Sequence, residues 1–526
     1  MKKIFYGGTI LTMADPMYAE AVLIENDKIL ALGSLEQLHA QAADCELVNL
    51  HGAVMLPGFI DPHSHFFQVA VSFLQASVNG CDTPEKMGRN IQDFIVSRKV
   101  QPGQWVAARD YDNNLMPGLK NPTLQQLDQF APRNPLIIHH KSGHMGLLNS
   151  LALRQLGITP DTPCPEGGRI ETENGKLTGY LEENAFFECN RKIPMFSTEQ
   201  LLSAFQDTQK KYASYGITTL QDGMVAMPML NAYRALLQKD QIYLDVRTYA
   251  GMDTYDAMQA LLQEFPENRH LKCSGIKMFL DGSPQGRTAW MRTPYEGGDG
   301  SYCGYGTMTD EAVEAAFRMA AEKNTQIIAH CNGDGASAQF LRCLKKAEQD
   351  YPRLKELRPV IIHGQLLGTD QLKEVRDLGA MVSFFIAHVY HWGDVHIRNF
   401  GLDRASRISP ANSALKAGIP FTFHQDAPVI EPDMLETIWC AVNRETRSSV
   451  SLGREEQIPV LEALKAVTVN AAYQYSEEAD RGSIEAGKLA DFVLLDRNPL
   501  EVPAQQLRDI QVLETYKDGK SVYCRQ

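Results

Sequence analysis

The chain has 526 residues, 44% apolar and 22% charged, enough for about three domains at ~150 residues each or for one large barrel with insertions. This composition excludes collagenous, disordered and disulfide-scaffold classes. Lys and Arg number 51 against 64 Asp and Glu, a net charge of −13, and no basic run is long enough to track a phosphate backbone.

Residues 4–14, behind Met1-Lys2-Lys3, imitate a short secretory signal, but Gly7-Gly8 interrupts them. Two strands around a Gly-Gly turn describe them better. The runs 22–25 and 29–32 flank an Asn26-Asp27 turn, and 47–49 leads into His51-Gly52. At the far end 491–495, 510–516 and 521–524 are short β-type runs, with Asp518-Gly519 as a hairpin turn. A small β domain of residues 1–55 with 476–526 is expected, the alternative being two unrelated β appendages.

Residues 56–475 alternate short apolar runs with helical stretches, as βα units around a parallel sheet do. The runs are 54–60, 217–220, 244–249, 275–280, 326–329, 360–362, 381–385 and 420–423, with helical spacing in 311–323 and 370–378. Eight runs predict an α/β fold of the (β/α)8 TIM-barrel type, with a doubly wound open sheet as the competing architecture. The stretch between His65 and the second run far exceeds a normal βα loop, so 68–205 is expected as an inserted subdomain over the barrel mouth.

Chemistry gathers at the ends of these runs. His63 and His65 follow the first; two apart in an extended segment, both imidazoles can face one cation. His330 and His363 end two later runs, and Asp426 follows the last. Imidazoles and a carboxylate without thiolates suit a catalytic metal site with a position open for water. Lys277 lies within an apolar run, where burial lowers an amine's pKa and makes it nucleophilic. It either pairs with a carboxylate, Asp281 or Asp245, or takes up carbon dioxide as a carbamate; the nearby histidines favour the carbamate.

The order Pro57-Gly58-Phe59-Ile60-Asp61-Pro62-His63-Ser64-His65, strand Lys277, His330, His363 and Asp426 resembles the amidohydrolase superfamily. The resemblance extends through 216–223, 276–282 and 482–491, toward the branch containing N-substituted formamide deformylases and uncharacterised metal-dependent hydrolases. It implies a (β/α)8 barrel, a β-sandwich built from both termini and a centre of one or two divalent ions. His63, His65 and Asp426 would hold the first ion and His330 and His363 the second, with carbamylated Lys277 between them in a binuclear centre. Zinc is the ion expected, and manganese, iron, nickel or cobalt would fit the same ligands. The branch more often has Ser before the final aspartate, whereas here His424-Gln425 precede it, leaving His424 as either a polar contact in the mouth or a packed side chain. His144, Glu183, Tyr390 and His391 resemble substrate-pocket positions, each with an ordinary structural reading beside it: a loop histidine, a helix-start carboxylate and a solvated loop.

The function expected is hydrolysis of an amide-type, non-peptide C–N bond in an N-acyl or N-formyl small molecule by a cation-activated hydroxide. Asp426 would act as general base and acid, with His363 as the second catalytic residue. A mononuclear deaminase, other chemistries of the same scaffold, and a catalytically silent barrel acting as a binding module are the alternatives. No G-x-S-x-G elbow offers a serine nucleophile, and Gly297–Gly300 lacks the ending of a phosphate-binding loop. The ten scattered cysteines, with no C-x-x-C pair, and the lack of an apolar run of ~18 residues lead us to expect a cytoplasmic protein. The expected partner is a small-molecule substrate, with a homodimer left open and neither nucleic acid nor membrane.

Overall fold

The computed structural model describes residues 1–141, 145–193, 196–297 and 299–526. The chain divides into two compact units, Met1–Phe67 with Thr208–Gln526, and Gln68–Asp207.

In the first unit eight strands form one parallel sheet: β1 (Phe59–Ile60), β2 (Ile217–Val225), β3 (Asp245–Ala250), β4 (Leu271–Phe279), β5 (Gln326–Cys331), β6 (Val360–His363), β7 (Met381–Phe384) and β8 (Phe421–Phe423). Each pairs in parallel with the next in chain order. The doubly wound alternative requires a reversal of strand order, and this sequence of pairings has none. The sheet is barrel-like. Its strands read as unbroken apolar runs because both faces are covered: Ile327, Ile328, Ala329 and Val360, Ile361, Ile362 are all buried. The helices between them show why. Asp310–Lys323 starts at Thr309, whose hydroxyl accepts the Ala312 N–H, and stops at a left-handed Asn324. It buries Val313, Ala316, Phe317 and Ala320, a stripe at i, i+3, i+4 and i+7.

The first expected run, 54–60, proves to be two strands. Val54–Pro57 leaves the parallel sheet and pairs antiparallel with Phe492–Leu495, whereas only Phe59–Ile60 joins β2. Gly58 separates them at a close approach, since a Cβ there would meet the Thr218 side chain at 2.4 Å. Strands from both chain ends share one sheet, in the order Lys520–Cys524, Val512–Lys517, Phe492–Leu495, Val54–Pro57, Lys2–Leu11, Tyr18–Glu25, Lys28–Gly33, with Glu46–Asn49 also on Lys2–Leu11. The expected Gly-Gly turn is absent: Lys2–Leu11 is one strand, and a register shift between Tyr6 and Ile10 absorbs the two glycines. The cluster of Phe5, Ile10, Met55, Phe492 and Tyr516 fills the space behind this sheet.

The second unit has its own six-stranded sheet, ordered Gly168–Glu173, Lys176–Glu183, Met145–Leu148, Leu136–His140, Val106–Tyr111, Ala76–Ser77. The helix Pro84–Ser97 lays Met87 and Ile91 into a core with Val106, Phe130, Ile138 and Leu147. Among the described residues, no helix is long and apolar enough to cross a membrane.

Candidate metal centre

The side chains that follow the strand ends of the first unit converge. His63 and His65 stand just beyond β1, and Asp426 just beyond β8. One ligand atom from each of His63, His65 and Asp426 lies within 4.8 Å of the others. His63 Nε2 and His65 Nε2 are 3.5 and 3.1 Å from the same Asp426 oxygen, Oδ1. Gly223 on β2 makes room for the first ring, because a Cβ there would lie 2.5 Å from His63 Cε1.

The hydrogen bonds around His63 set its tautomer. Gln221 Nε2 donates to the Pro62 carbonyl at 2.7 Å, which leaves its Oε1 to accept from His63 Nδ1 at 2.6 Å. His63 Nε2 therefore carries a lone pair, which faces the Asp426 carboxylate at 3.5 Å and the Lys277 amine at 3.3 Å. A cation satisfies both the lone pair and the carboxylate. His65 Nδ1 is buried without a hydrogen-bond partner. Two ligand atoms on one tetrahedral zinc lie about 3.3 Å apart, close to the spacings seen here. The residues present fit a divalent ion.

A second pair adjoins the first. His330 ends β5 and His363 ends β6, with His363 Nε2 and His330 Nδ1 3.0 Å apart. His330 Nε2 lies 3.1 Å from the Gly282 carbonyl and 3.0 Å from Asn332 Nδ2. The ring centroids of His63 and His363 are 5.4 Å apart. His363 and Asp426 both have left-handed backbones, φ 74° and 55°, a strain that surrounding structure must hold in place and that concentrates at functional sites.

Lys277, on β4, sits among these groups, its Nζ 3.3 Å from His63 Nε2. Burial lowers its pKa to about 7, against the opposing pull of Asp426. Neither carboxylate considered as its ion-pair partner is one. Asp281 accepts the N–H groups of Asn332, Gly333 and Trp290, and Asp245 pairs with Arg481 and Lys517. Burial likewise keeps the imidazoles neutral, lowering His330 to about 4 and His63 and His363 well below their ordinary value. For Asp426 burial pushes upward, but His65, His424 and Lys277 outweigh it and hold the carboxyl below its usual range.

His424 is a polar contact. Its Nε2 meets His363 Nδ1 at 3.1 Å and its Nδ1 meets Ser383 Oγ at 2.8 Å, forming a buried chain Ser383–His424–His363–His330. Gln221, Ser383 and Phe385, whose ring lies 5.3 Å from His424, belong to this cluster without having been singled out by sequence. Alternation along β2, which turns Gln221 and Gly223 to the same side, could have pointed to Gln221.

The positions that the resemblance implies for a substrate pocket fall in several places. Tyr390 and His391 lie in the helix His388–Ala405 rather than in a solvated loop. Tyr390 packs edge-on against Trp439 at 5.4 Å, and His391 bonds Glu436 and Arg447, each at 2.8 Å. Among the described residues it is His388 of this helix, 4.6 Å from Phe385, that reaches toward the imidazole cluster. Glu183 belongs to the second unit, at the end of the strand Lys176–Glu183. His144 lies outside the described residues.

Imidazoles and a carboxylate gathered at the C-terminal ends of parallel strands define a metal-ligating barrel-like protein. The chain belongs to the amidohydrolase family, whose model matches residues 46–523. It is 28% identical to the N-substituted formamide deformylase of Arthrobacter pascens, over 96% of this chain and 95% of that one. It is 27% identical to Protein LONG AFTER FAR-RED 3 of Arabidopsis thaliana, over 98% and 90%. In fold it is similar to the crystal structure of an uncharacterised metal-dependent hydrolase from Pyrococcus horikoshii OT3, with a TM-score of 0.80 at 22% identity, covering 96% of this chain and 99% of that one.

Proposed function

We propose that the protein is a metal-dependent hydrolase of an amide-type C–N bond in a small N-acyl or N-formyl compound. The observation that carries this reading is the meeting of His63, His65 and Asp426 around one point, beside Lys277 and the His330–His363 pair. His63, His65 and Asp426 would hold one divalent ion, and His330 and His363 a second. Such an ion acidifies water and polarises a carbonyl at neutral pH. Asp426, ionised in its setting, takes the proton of the attacking water and returns it to the leaving nitrogen. His363, neutral and with its Nδ1 engaged by His424, would help to stabilise the developing oxyanion through the ion it holds. The Lys277 amine, part neutral near pH 7, would add to carbon dioxide: its lone pair forms the C–N bond as one C=O π bond opens, an N–H proton leaves, and the carbamate would supply an anionic oxygen ligand. Similarity along nearly the whole length to a protein named N-substituted formamide deformylase supports the choice of bond.

One observation favours a mononuclear alternative, a deaminase: among the described residues, His63, His65 and Asp426 are the only set of three converging ligand atoms. The deciding experiment is a screen of N-formyl and N-acyl amines against metal-loaded protein, with the metal-to-protein ratio measured on the same sample. Turnover that a chelator abolishes and zinc restores, together with a loss of at least about a hundredfold in kcat for Asp426→Asn, is the expected result. Chelator-resistant turnover, or near wild-type kcat in Asp426→Asn, would contradict it. A ratio of one with an unmodified Lys277 and release of ammonia would select the deaminase.

A further inference from the structure

A cavity of about 410 Å³ opens at the C-terminal ends of β2, β3 and β4, and Lys277 forms part of its wall. That is the size of a small-molecule site. Its lining is unusual in one respect: Met224 from β2, Met252 after β3, Met278 from β4 and Met308 ahead of the helix Asp310–Lys323 all contribute to it. Phe279 completes the apolar wall and is 37% exposed, a large ring left uncovered at a strand end. Its face lies 5.1 Å from Lys277 Nζ, and its centroid is 5.5 Å from that of His330. The cavity thus adjoins the candidate metal centre through Lys277. The wall is held in position, since Thr307 donates from its hydroxyl to the Phe279 carbonyl at 2.7 Å and from its N–H to the Leu280 carbonyl at 3.0 Å.

Methionine is unbranched and polarisable, so a surface made of it adapts to apolar groups of different shape while selecting against polar ones. Apart from Lys277, the charged group at the cavity is Asp253, which is exposed. We propose that this cavity is the subsite for an apolar chain flanking the scissile C–N bond, and that the enzyme accepts such chains over a range of shapes. The proposal rests on the hydrolase reading above, and two measurements separate the fate of each.

The first compares kcat/KM of the metal-loaded enzyme along N-alkylformamides, methyl to hexyl, and along N-methylalkanamides, acetyl to octanoyl. A gain of about fourfold per added methylene is expected in one of the two series, which identifies the side of the bond that the cavity serves. The double variant Met252→Gln/Met308→Gln should cut that gain below twofold per methylene. Met227→Gln, on the exposed turn after β2, should leave it unchanged. The second is calorimetric binding of 1-butanol to 1-octanol, which contain no C–N bond, with the same grading expected and lost in the double variant. Amide turnover that is flat along both series, with ungraded alkanol binding, overturns the subsite and leaves the hydrolase standing. Graded alkanol binding without turnover of any amide overturns the hydrolase and leaves the subsite.

Discussion

His424 joins two strands of the barrel through its ring, taking Ser383 of β7 on one nitrogen and His363 of β6 on the other. A metal ligand is oriented by what its second nitrogen bonds, and removal of such a partner costs about 10–100-fold in metal affinity. His424→Leu should weaken zinc binding by that factor in a competition with a chromophoric chelator. Because it also leaves His363 Nδ1 and Ser383 Oγ buried without partners, it should lower stability by ~1–3 kcal/mol. His424→Gln, which keeps a polar group between the two, should recover most of the affinity; equal loss in both variants would mean that the ring acts by packing alone. Nothing in the sequence distinguished these roles. A histidine two residues before Asp426 is visible, but its partners are set by the register of three adjacent strands, which the sequence does not show.

The helix His388–Ala405 carries a second buried pair, His388 Nδ1 and His396 Nε2 at 3.1 Å, with the rings stacked. Burial pushes His396 down to about 3 and His388 well below its ordinary value, the latter also feeling His396, His424 and His391; Phe385, Trp392 and Phe400 supply the remaining neighbours. Both rings are neutral in the folded state, whereas the unfolded chain protonates them below about 6.5. The unfolded state then binds more protons, so stability is fully present above pH 6.5 and falls as pH drops from there toward 3. Denaturant midpoints between pH 7 and 4 should show this decline, and His396→Gln should make it shallower; an unchanged slope would contradict the assignment. At this scale the sequence was most legible. All eight apolar runs overlap strands of the parallel sheet, because burial on both faces imposes an unbroken apolar run. The first run misled because Val54–Pro57 and Phe59–Ile60 are equally apolar, and only the contact between Gly58 and Thr218 shows where one sheet ends and the next begins. The loop reading of Tyr390 and His391 failed differently: a polar, aromatic stretch reads as loop, and here it forms a helix with Tyr390 packed against Trp439.

Within the first unit, buried charges tie the terminal sheet to the parallel one. Lys517 Nζ, 2% exposed, lies 3.0 Å from Asp245 of β3 and 3.1 Å from Asp491, while Arg481 reaches the same Asp245 oxygen at 2.6 Å. Breaking one partner of such a set strands the others away from water and costs ~3–5 kcal/mol. Lys517→Met should lower the unfolding free energy by about that amount, with little dependence on added salt because the pairs are buried; a loss below ~1 kcal/mol, or one that salt abolishes, would show them to be solvated. The network also bears on function, since it fixes β3 and its neighbours, whose opposite ends present the cavity and Lys277. The claim on which the whole account depends is that strand ends from distant parts of the chain hold one divalent ion through imidazole and carboxylate. X-ray absorption at the zinc edge of the zinc-loaded protein tests it most directly. The prediction is nitrogen and oxygen neighbours at ~2.0–2.2 Å with at least two imidazole signatures, which weaken in His63→Ala/His65→Ala. Sulfur at ~2.3 Å, or a spectrum unchanged in that variant, would contradict it.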